Sequence, residues 1–363
     1  MSIDFKVDKD IRIAETLPTK FYKDPEIFEL TKKKIFLKTW QWVGDTFELN
    51  EENTINPVTV LPNFLNEPIL LTKTKNNGIG CYSNVCTHRG NILIHEKCKS
   101  KKIICNYHGR RFNNEGQFEF MPEFRETINF PRESDDLHKF PIFSWNNLLF
   151  VGLDPDFEIS TVFKKISNRV SFLPLENLKL HDDLSKNYKI HANWALYCDN
   201  YLEGFHVPFV HKDLNEVLDY NNYDTELDKY FNLQIGYAKN KEECFDIPKG
   251  HQDYGKNIAA YYYWLFPNLM LNFYPWGISV NLVCPDSIDK TSVLFRSYVF
   301  DKSRLNSGAS GDLDKVEMED EEVVESVQKG VNSSFYKTGR FSPTKEKGVH
   351  HFHSLISKFL NKK

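Results

Sequence analysis

Long apolar runs are missing from this 363-residue chain. Its most apolar stretch, Tyr261 to Trp276, is interrupted by Pro267, Asn268, Asn272 and Pro275, whereas a spanning helix needs about 20 apolar residues. No membrane association is expected. The N-terminus, MSIDFKVDKD, lacks the apolar core of a secretory signal. Excess charge of either sign is missing too. The 46 Lys and Arg stand against 50 Asp and Glu, a net of −4, so no basic field draws in nucleic acid. Cysteine is sparse, at seven residues. Without a signal segment these thiols are expected reduced, in a cytoplasmic protein, and any Cys/His cluster is read first as a metal site. What is abundant is core material: 40% apolar and 14% aromatic residues, enough for about two domains at roughly 150 residues each.

No internal repeat is visible. From Trp40 to about Asp154 the texture is that of short strands and turns: PVTVL (57–61), PILLTK (68–73), CNYHG (105–109), GQFEF (116–120) and LLFVGLD (148–154). Asn-Gly at 77–78 and Asn-Glu-Gly at 114–116 are hairpin signals. A helical arm over residues 22–39 precedes this stretch. Longer strands follow it: YKIHA (188–192), YFNLQIGYA (230–238), NFYPWGISVNLV (272–283) and TSVLFRSYVF (291–300). Helical segments at 194–206 and 314–331 join them, and 303–314 reads as a loop. Runs of strands with a few long helices predict an antiparallel α+β domain.

Two Cys-plus-His pairs stand out. Cys86-Thr87-His88 is followed, after sixteen intervening residues, by Cys105-Asn106-Tyr107-His108. Two thiolates and two imidazoles suit a tetrahedral zinc. They also suit a 2Fe–2S cluster with Cys on one iron and His on the other. A zinc finger pairs like with like around a helix, whereas here each loop carries one of each and the surroundings are β and Gly-rich. Gly90 and Gly109 let the backbone wrap closely. CTHRG (86–90), CNYHG (105–109) and Asn114-Glu115-Gly116 resemble the ligand loops and following turn of the Rieske iron–sulfur family. One departure is Arg110, where many members of the oxygenase branch have Trp; it is expected to alter the local surface or a subunit contact. Cys81, Cys98, Cys198, Cys244 and Cys284 read mostly as small buried hydrophobes. The loop Lys97-Cys98-Lys99-Ser100-Lys101-Lys102 reads as a solvated hairpin tip, or as a docking patch for an acidic electron donor.

A second constellation lies in NWALYCDNYLEGFHVPFVH (193–211). Asn193 is a plausible N-cap. Asn193, Asn200 and Glu203 share a helical face, and His206 follows Glu203 by three residues. Pro208 disfavours helix at Val207, so His211 can swing back toward His206. Two His and a carboxylate hold Fe(II) with positions left open, but His-x4-His alone is a weak signal. On the acidic segment, Val316, Val323, Val324, Val327 and Val331 form an apolar stripe that contains Asp320. Glu317, Glu319, Glu321, Glu322 and Glu325 fall outside it and are expected in water. A carboxylate in such a stripe needs a metal or a cationic partner.

The segment NW…DNYLEGFHVPFVH, together with LFPNLMLNFYPWGISVNLVCP (265–285) and EDEEVVESVQKGV…GRFSP…E…GVHHFH, resembles Rieske non-haem oxygenase α subunits, from Trp40 to His353. The resemblance implies an inserted all-β Rieske domain at 41–155. It implies a catalytic domain from 1–40 and 156–363, whose antiparallel sheet grips a long helix. It implies one 2Fe–2S cluster on Cys86, His88, Cys105 and His108, and one Fe(II) on His206, His211 and Asp320. Glu203, with Asn200 beside it, is implied in catalysis, Glu203 as the link between iron and cluster. A separate NAD(P)H-dependent flavin or ferredoxin-type reductase would supply electrons for O2 activation. A homotrimer would set His108 of one subunit against Glu203 of the next. Glu203, where aromatic-ring dioxygenases have Asp, and the YPWG segment are more similar to the choline, glycine-betaine and carnitine monooxygenase branch.

The expected activity is hydroxylation or N-dealkylation of a small, quaternary ammonium-like substrate. Aromatic-ring dioxygenation and a non-catalytic Rieske carrier are the alternatives. Tyr261, Tyr262, Tyr263, Trp264, Phe273, Tyr274 and Trp276 would cage a cation or simply pack. His350, His351 and His353 open an apolar C-terminal helix and read as structural or exposed.

Overall fold

The computed structural model describes residues 5–74, 78–217, 219–239, 244–305 and 313–362. Asn77 of the first hairpin signal and residues 306–312 of the 303–314 loop lie outside them. The chain divides into two compact units, Leu37–Ile159 and Met1–Phe36 with Ser160–Lys363. Among the described residues no helix is long and apolar enough to cross a membrane.

The N-terminal arm forms helices α1 (Thr19–Lys23) and α2 (Pro25–Thr31), then a wider turn through Lys32–Phe36. Pro25 opens α2, where its missing N–H costs nothing, and the Asp24 carboxylate accepts the Glu26 N–H.

The Leu37–Ile159 unit is all β apart from short turns. Strands β1 (Trp40–Asp45), β2 (Thr54–Val60), β3 (Glu67–Lys73), β4 (Ile79–Ser83), β5 (Cys98–Lys99), β6 (Lys102–Ile104), β7 (Arg111–Asn113), β8 (Phe118–Phe120), β9 (Ile142–Trp145) and β10 (Leu148–Gly152) form three antiparallel sheets, ordered β4-β3-β2-β5, β6-β7-β8 and β1-β10-β9. CNYHG is not a strand; it is the turn between β6 and β7, because Cys105 and Gly109 close a hydrogen bond across it. Asn114 to Gly116 turn β7 into β8 as expected. The core beneath includes Ile55, Leu70, Tyr82, Leu93, Ile103, Phe112 and Leu137.

The other unit is built on one antiparallel sheet. Helix α3 (Ile159–Arg169) leads into β11 (Lys179–Leu180) and β12 (Lys186–Ile190), then helices α4 (Trp194–Tyr201), α5 (Val207–Val210) and α6 (Lys212–Val217). Strands β13 (Asp224–Leu227), β14 (Phe231–Tyr237), β15 (Ile258–Leu265), β16 (Leu269–Tyr274), β17 (Gly277–Ser287) and β18 (Lys290–Val299) follow, in sheet order β11-β18-β17-β16-β15-β14-β13, with β12 also on β18. Helices α7 (Leu313–Val331) and α8 (Lys347–Leu360) complete the unit.

NFYPWGISVNLV is two strands rather than one. Pro275 and Trp276 turn β16 into β17, pairing Tyr274 with Gly277; apolar residues on both sides conceal the turn. Phe352 of α8 packs against Trp264 and Trp194, with ring centroids 5.0 and 5.7 Å away. His353, 1% exposed, holds Asp199 at 2.9 Å and accepts the Leu17 N–H at 3.1 Å. It is a structural histidine that ties the N-terminal arm to α4. His350 reaches the Asp8 carbonyl.

Candidate active site

The two Cys/His loops are near copies of one another. In each, the glycine four residues after the cysteine donates its N–H to the cysteine carbonyl, at 2.9 Å in both. Gly90 (φ +71°) and Gly109 (φ +74°) sit in the left-handed region that a side chain disfavours. Cys86 and Cys105 are buried, His108 is exposed and His88 is half-buried. The imidazole rings lie edge to face, 4.8 Å apart. Burial works to raise the Cys105 thiol, but the N–H groups of Tyr107 and His108, the Cys86 thiol and the Asn91 amide outweigh it and bring it below the ordinary value. Asn91 Nδ2 lies 3.6 Å from Cys105 Sγ. Burial, with the His108 ring next, holds His88 below its ordinary pKa, which suits a neutral ligand.

This donor set fits a 2Fe–2S cluster, with thiols inward and imidazoles outward. Among the described residues, three metal-ligating atoms draw within 4.8 Å of one another at His206, His211 and Asp320. The four loop residues are not gathered to one such point, as a single tetrahedral zinc would require.

Arg110 is not a surface residue. It is 1% exposed, bonds Asp135 Oδ1 at 2.7 Å and the Asp135 carbonyl at 3.0 Å, and lies 4.9 Å from the Phe118 ring centroid. Its long stem carries the guanidinium inward to a carboxylate that neutralises it. In the Lys-rich loop, Lys97 and Lys99 pair with Glu48 and Glu51, so the patch is mixed in sign.

The second site is organised by α4. Asn193 caps it by accepting the Ala195 N–H, while its own N–H reaches Gln328 of α7. The helix stops at Tyr201, earlier than expected. Gln234 of β14 takes the Tyr201 carbonyl at 2.7 Å, and the Glu203 carboxylate folds back onto the N–H groups of Phe205 and His206. Glu203 therefore lies beyond the helical face of Asn193 and Asn200. Pro208 does not end a helix; it sits in the first turn of α5, where proline is tolerated.

His206, His211 and Asp320 converge. Asp320 Oδ1 is 3.0 Å from His211 Nε2 and 3.5 Å from His206 Nε2. Glu203 Oε1 holds His206 Nδ1 at 2.7 Å, and Glu319 Oε2 holds His211 Nδ1 at 2.8 Å. Each ring is thus oriented by a carboxylate behind it and turns Nε2 toward Asp320, the arrangement seen around metal-ligating histidines. Burial works against a charged His211, yet Asp320 and Glu319 outweigh it and raise its pKa. Where a proton is so favoured, a metal cation fits: two imidazole nitrogens and one carboxylate suit iron(II).

The expected phase of α7 is corrected. The buried residues are Glu317, Val324, Gln328 and Val331, while Val327 is 44% exposed. This helix meets polar groups of α4, so an apolar stripe does not mark its inner face. Glu317, expected in water, is 4% exposed, and both its oxygens lie within 2.9 Å of the Tyr197 hydroxyl. Burial pushes its carboxyl well up, Tyr197 opposes that, and Asp320, Glu321 and Asp314 add to it. Glu319, likewise expected in water, is half-buried behind His211.

A cavity of about 840 Å³, its open mouth included, adjoins these residues. Asn200, Glu203, His206, His211, Glu317 and Asp320 line it. The sheet supplies Gln234, Tyr262, Asn272 and Ser279, which stand side by side in register on β14 to β17. Tyr262 and Tyr274 face the cavity with Tyr197, Tyr201 and Tyr223. By strand alternation Tyr261, Tyr263 and Phe273 belong to the opposite side and are packing residues.

Residues 176–362 match the family described as ring hydroxylating alpha subunit (catalytic domain), and residues 39–140 match the Rieske [2Fe-2S] domain. The chain is 27% identical to choline monooxygenase, chloroplastic, of Beta vulgaris, covering 96% of this chain and 77% of that one. It is 27% identical to the carnitine monooxygenase oxygenase subunit of Escherichia coli (strain K12), covering 95% and 93%. Among solved structures, the quaternary ammonium Rieske monooxygenase CntA in complex with L-carnitine superposes with a TM-score of 0.75 at 22% identity, covering 96% and 97%. Naphthalene 1,2-dioxygenase with indole bound superposes at 0.73 and 15% identity, covering 98% and 94%. The chain belongs to the ring-hydroxylating α-subunit family: a Rieske [2Fe-2S] domain is followed by the catalytic domain of a non-haem iron oxygenase.

Proposed function

We propose that this oxygenase hydroxylates or N-dealkylates a small quaternary ammonium compound. The observation that carries this reading is the cavity beside His206, His211 and Asp320. It has five tyrosines and three carboxylates on its walls and, among the described lining residues, no lysine or arginine. Aromatic faces attract a quaternary cation, each by about 0.5–2 kcal/mol. Choline and carnitine monooxygenases among the relatives support the same class. The naphthalene dioxygenase likeness concerns the fold, and the polar row Gln234, Asn272 and Ser279 is a poor wall for an arene. A mere electron carrier would have no use for the second donor set.

In this reading Cys86, His88, Cys105 and His108 hold the cluster, within a Rieske domain at 41–155. His206, His211 and Asp320 hold the iron, within a catalytic domain of 1–40 and 156–363. When bound, the two centres supply one-electron transfer and O2 activation. Glu203 and Glu319 keep a proton on Nδ1 of their histidines and so free each Nε2 lone pair. Asn200 offers an amide donor and acceptor to whatever occupies the cavity. A reductase drawing on NAD(P)H, a homotrimeric assembly and a cytoplasmic setting complete the proposal.

Substrate-dependent O2 uptake, with reductase supplied and product identified, tests it. Coupled uptake with choline-like, betaine-like or carnitine-like compounds is expected. Coupled uptake with naphthalene or benzoate and none of these would overturn it.

A further inference from the structure

Three carboxylates line the active-site cavity: Glu203, Glu317 and Asp320. Two are engaged, Glu203 by His206 and Asp320 by the two Nε2 atoms. Glu317 differs. It is 4% exposed, and its hydrogen-bond donor is the neutral hydroxyl of Tyr197, at 2.9 and 2.7 Å. Among the described residues no lysine, arginine or histidine forms an ion pair with it. A buried acid of this kind is costly to ionise unless a cation arrives beside it. The surrounding tyrosines favour a cation as well.

The sheet wall carries the second observation. Gln234 is 1% exposed and donates its amide N–H to the Tyr201 carbonyl at 2.7 Å. That bond fixes which end of the amide is which. The remaining atom, Oε1, is buried and has no hydrogen-bond partner among the described residues. It is an acceptor waiting for a donor. The Tyr201 hydroxyl cannot serve, being given to Asn272 Oδ1, nor can Ser279, given to Asn281 Oδ1.

We infer that Glu317 is the counter-ion for a monocationic substrate whose tail carries a neutral hydrogen-bond donor, and that this cavity discriminates against zwitterions with a carboxylate tail. The inference rests on the quaternary ammonium reading above. A trimethylammonium group has no N–H, so charge and aromatic faces must recognise it. A hydroxyl tail can donate to Gln234 Oε1. A carboxylate there would meet an acceptor and add negative charge to a wall whose three carboxylates already outnumber the two positive charges of an iron(II), with no lysine or arginine among the described lining residues. The amide groups of Asn272 and Asn281 serve either tail, so the sign of the charge decides. Choline monooxygenase and carnitine monooxygenase both appear among the relatives; this cavity has the chemistry for a choline-like cation.

Anaerobic isothermal titration of the reduced, iron-loaded full chain tests this with three probes. They are choline, its zwitterionic counterpart glycine betaine, and its uncharged isostere 3,3-dimethylbutan-1-ol. Choline is expected to bind at least about tenfold more tightly than either other probe. Glu317→Gln should bring choline down to the level of the uncharged alcohol, with iron content and melting temperature unchanged. Betaine binding as tightly as choline, or the alcohol doing so, would overturn the inference while leaving the quaternary ammonium reading in place. So would a Glu317→Gln chain that keeps the preference. Binding of naphthalene with none of the ammonium probes would overturn both. If Glu317→Gln fails to fold, Glu317→Asp, which keeps the charge but draws it back by one methylene, should weaken choline and leave the uncharged alcohol unchanged; an equal effect on both probes would overturn the assignment of Glu317.

Discussion

Glu319 Oε2 lies 2.8 Å from His211 Nδ1, while the next residue, Asp320, meets the same ring's Nε2 at 3.0 Å. Two consecutive helical residues hold opposite edges of one imidazole. Their roles are separable. Asp320→Ala is expected to abolish mononuclear iron binding and keep the cluster's visible spectrum. Glu319→Ala is expected to weaken iron binding about 10- to 100-fold without abolishing it, the usual effect of removing a carboxylate behind a ligand. Iron titration of the metal-free catalytic site, followed alongside cluster absorbance, reads both. Iron retained at wild-type affinity in Asp320→Ala would remove Asp320 from the donor set.

Arg110 and Asp135 form a buried pair two residues from His108. Removing one partner leaves a buried charge, at a cost of about 3–5 kcal/mol. Asp135→Ala should therefore lower the melting temperature of cluster absorbance markedly. Adding Arg110→Trp should recover much of that loss, since the ring would sit among Phe112, Phe118 and Phe130. Burial alone would raise the Asp135 carboxyl, but the Arg110 hydrogen bond and the Arg132 N–H hold it below the usual range. The folded pKa lies under the unfolded one. The pair's contribution is then complete at neutral pH and fades as pH falls through the depressed folded value. The gap between wild type and Asp135→Ala should close in acid. A gap constant with pH would mean the carboxylate charge is idle.

Asp253 anchors the other unit. It is 1% exposed and accepts hydrogen bonds from Arg169, Lys256 and the Tyr261 hydroxyl. Asp253→Ala should destabilise this unit by roughly 3–5 kcal/mol, read as a lower denaturation midpoint. An unchanged midpoint would show that the network contributes nothing.

The legible parts of the sequence are those where chemistry sits close along the chain. Cys86, His88, Cys105 and His108 occupy two short loops, and Glu203, His206 and His211 fall within nine residues. The apolar stripe that contains Asp320 is misaligned with the buried face of α7. The true inner residues, Glu317 and Gln328 among them, meet Tyr197 and Asn193 of α4. Hydrophobic periodicity cannot detect a polar helix–helix contact. Gln234 and Asn272 did leave a trace, as buried amides inside the apolar strands FNLQIGY, which also holds Asn232, and LMLNFY. A polar residue where alternation expects burial is the trace that such a cavity wall leaves in the sequence. The turn at Pro275 and Trp276 was hidden by apolar neighbours on both sides.

Glu203 carries the last prediction. Oε1 accepts a hydrogen bond from His206 Nδ1 at 2.7 Å, and Oε2 accepts the N–H groups of Phe205 and His206. The carboxylate is thus built into the turn as well as set behind a proposed metal ligand, and two roles compete. If it only orients His206, Glu203→Gln keeps one carbonyl acceptor for Nδ1 and should lose little. If it also links the iron site to His108 of a neighbouring subunit, as the family resemblance implies, the loss of charge should break that link. The linking role predicts that Glu203→Gln retains both metals and its oligomeric state, yet turns over at least about tenfold more slowly. Single-turnover stopped-flow separates the two readings, because only the link predicts slow cluster reoxidation with substrate and O2 present. Reoxidation at the wild-type rate in that variant, or full activity from a verified monomer, would leave Glu203 as an orienting residue of the turn and nothing more.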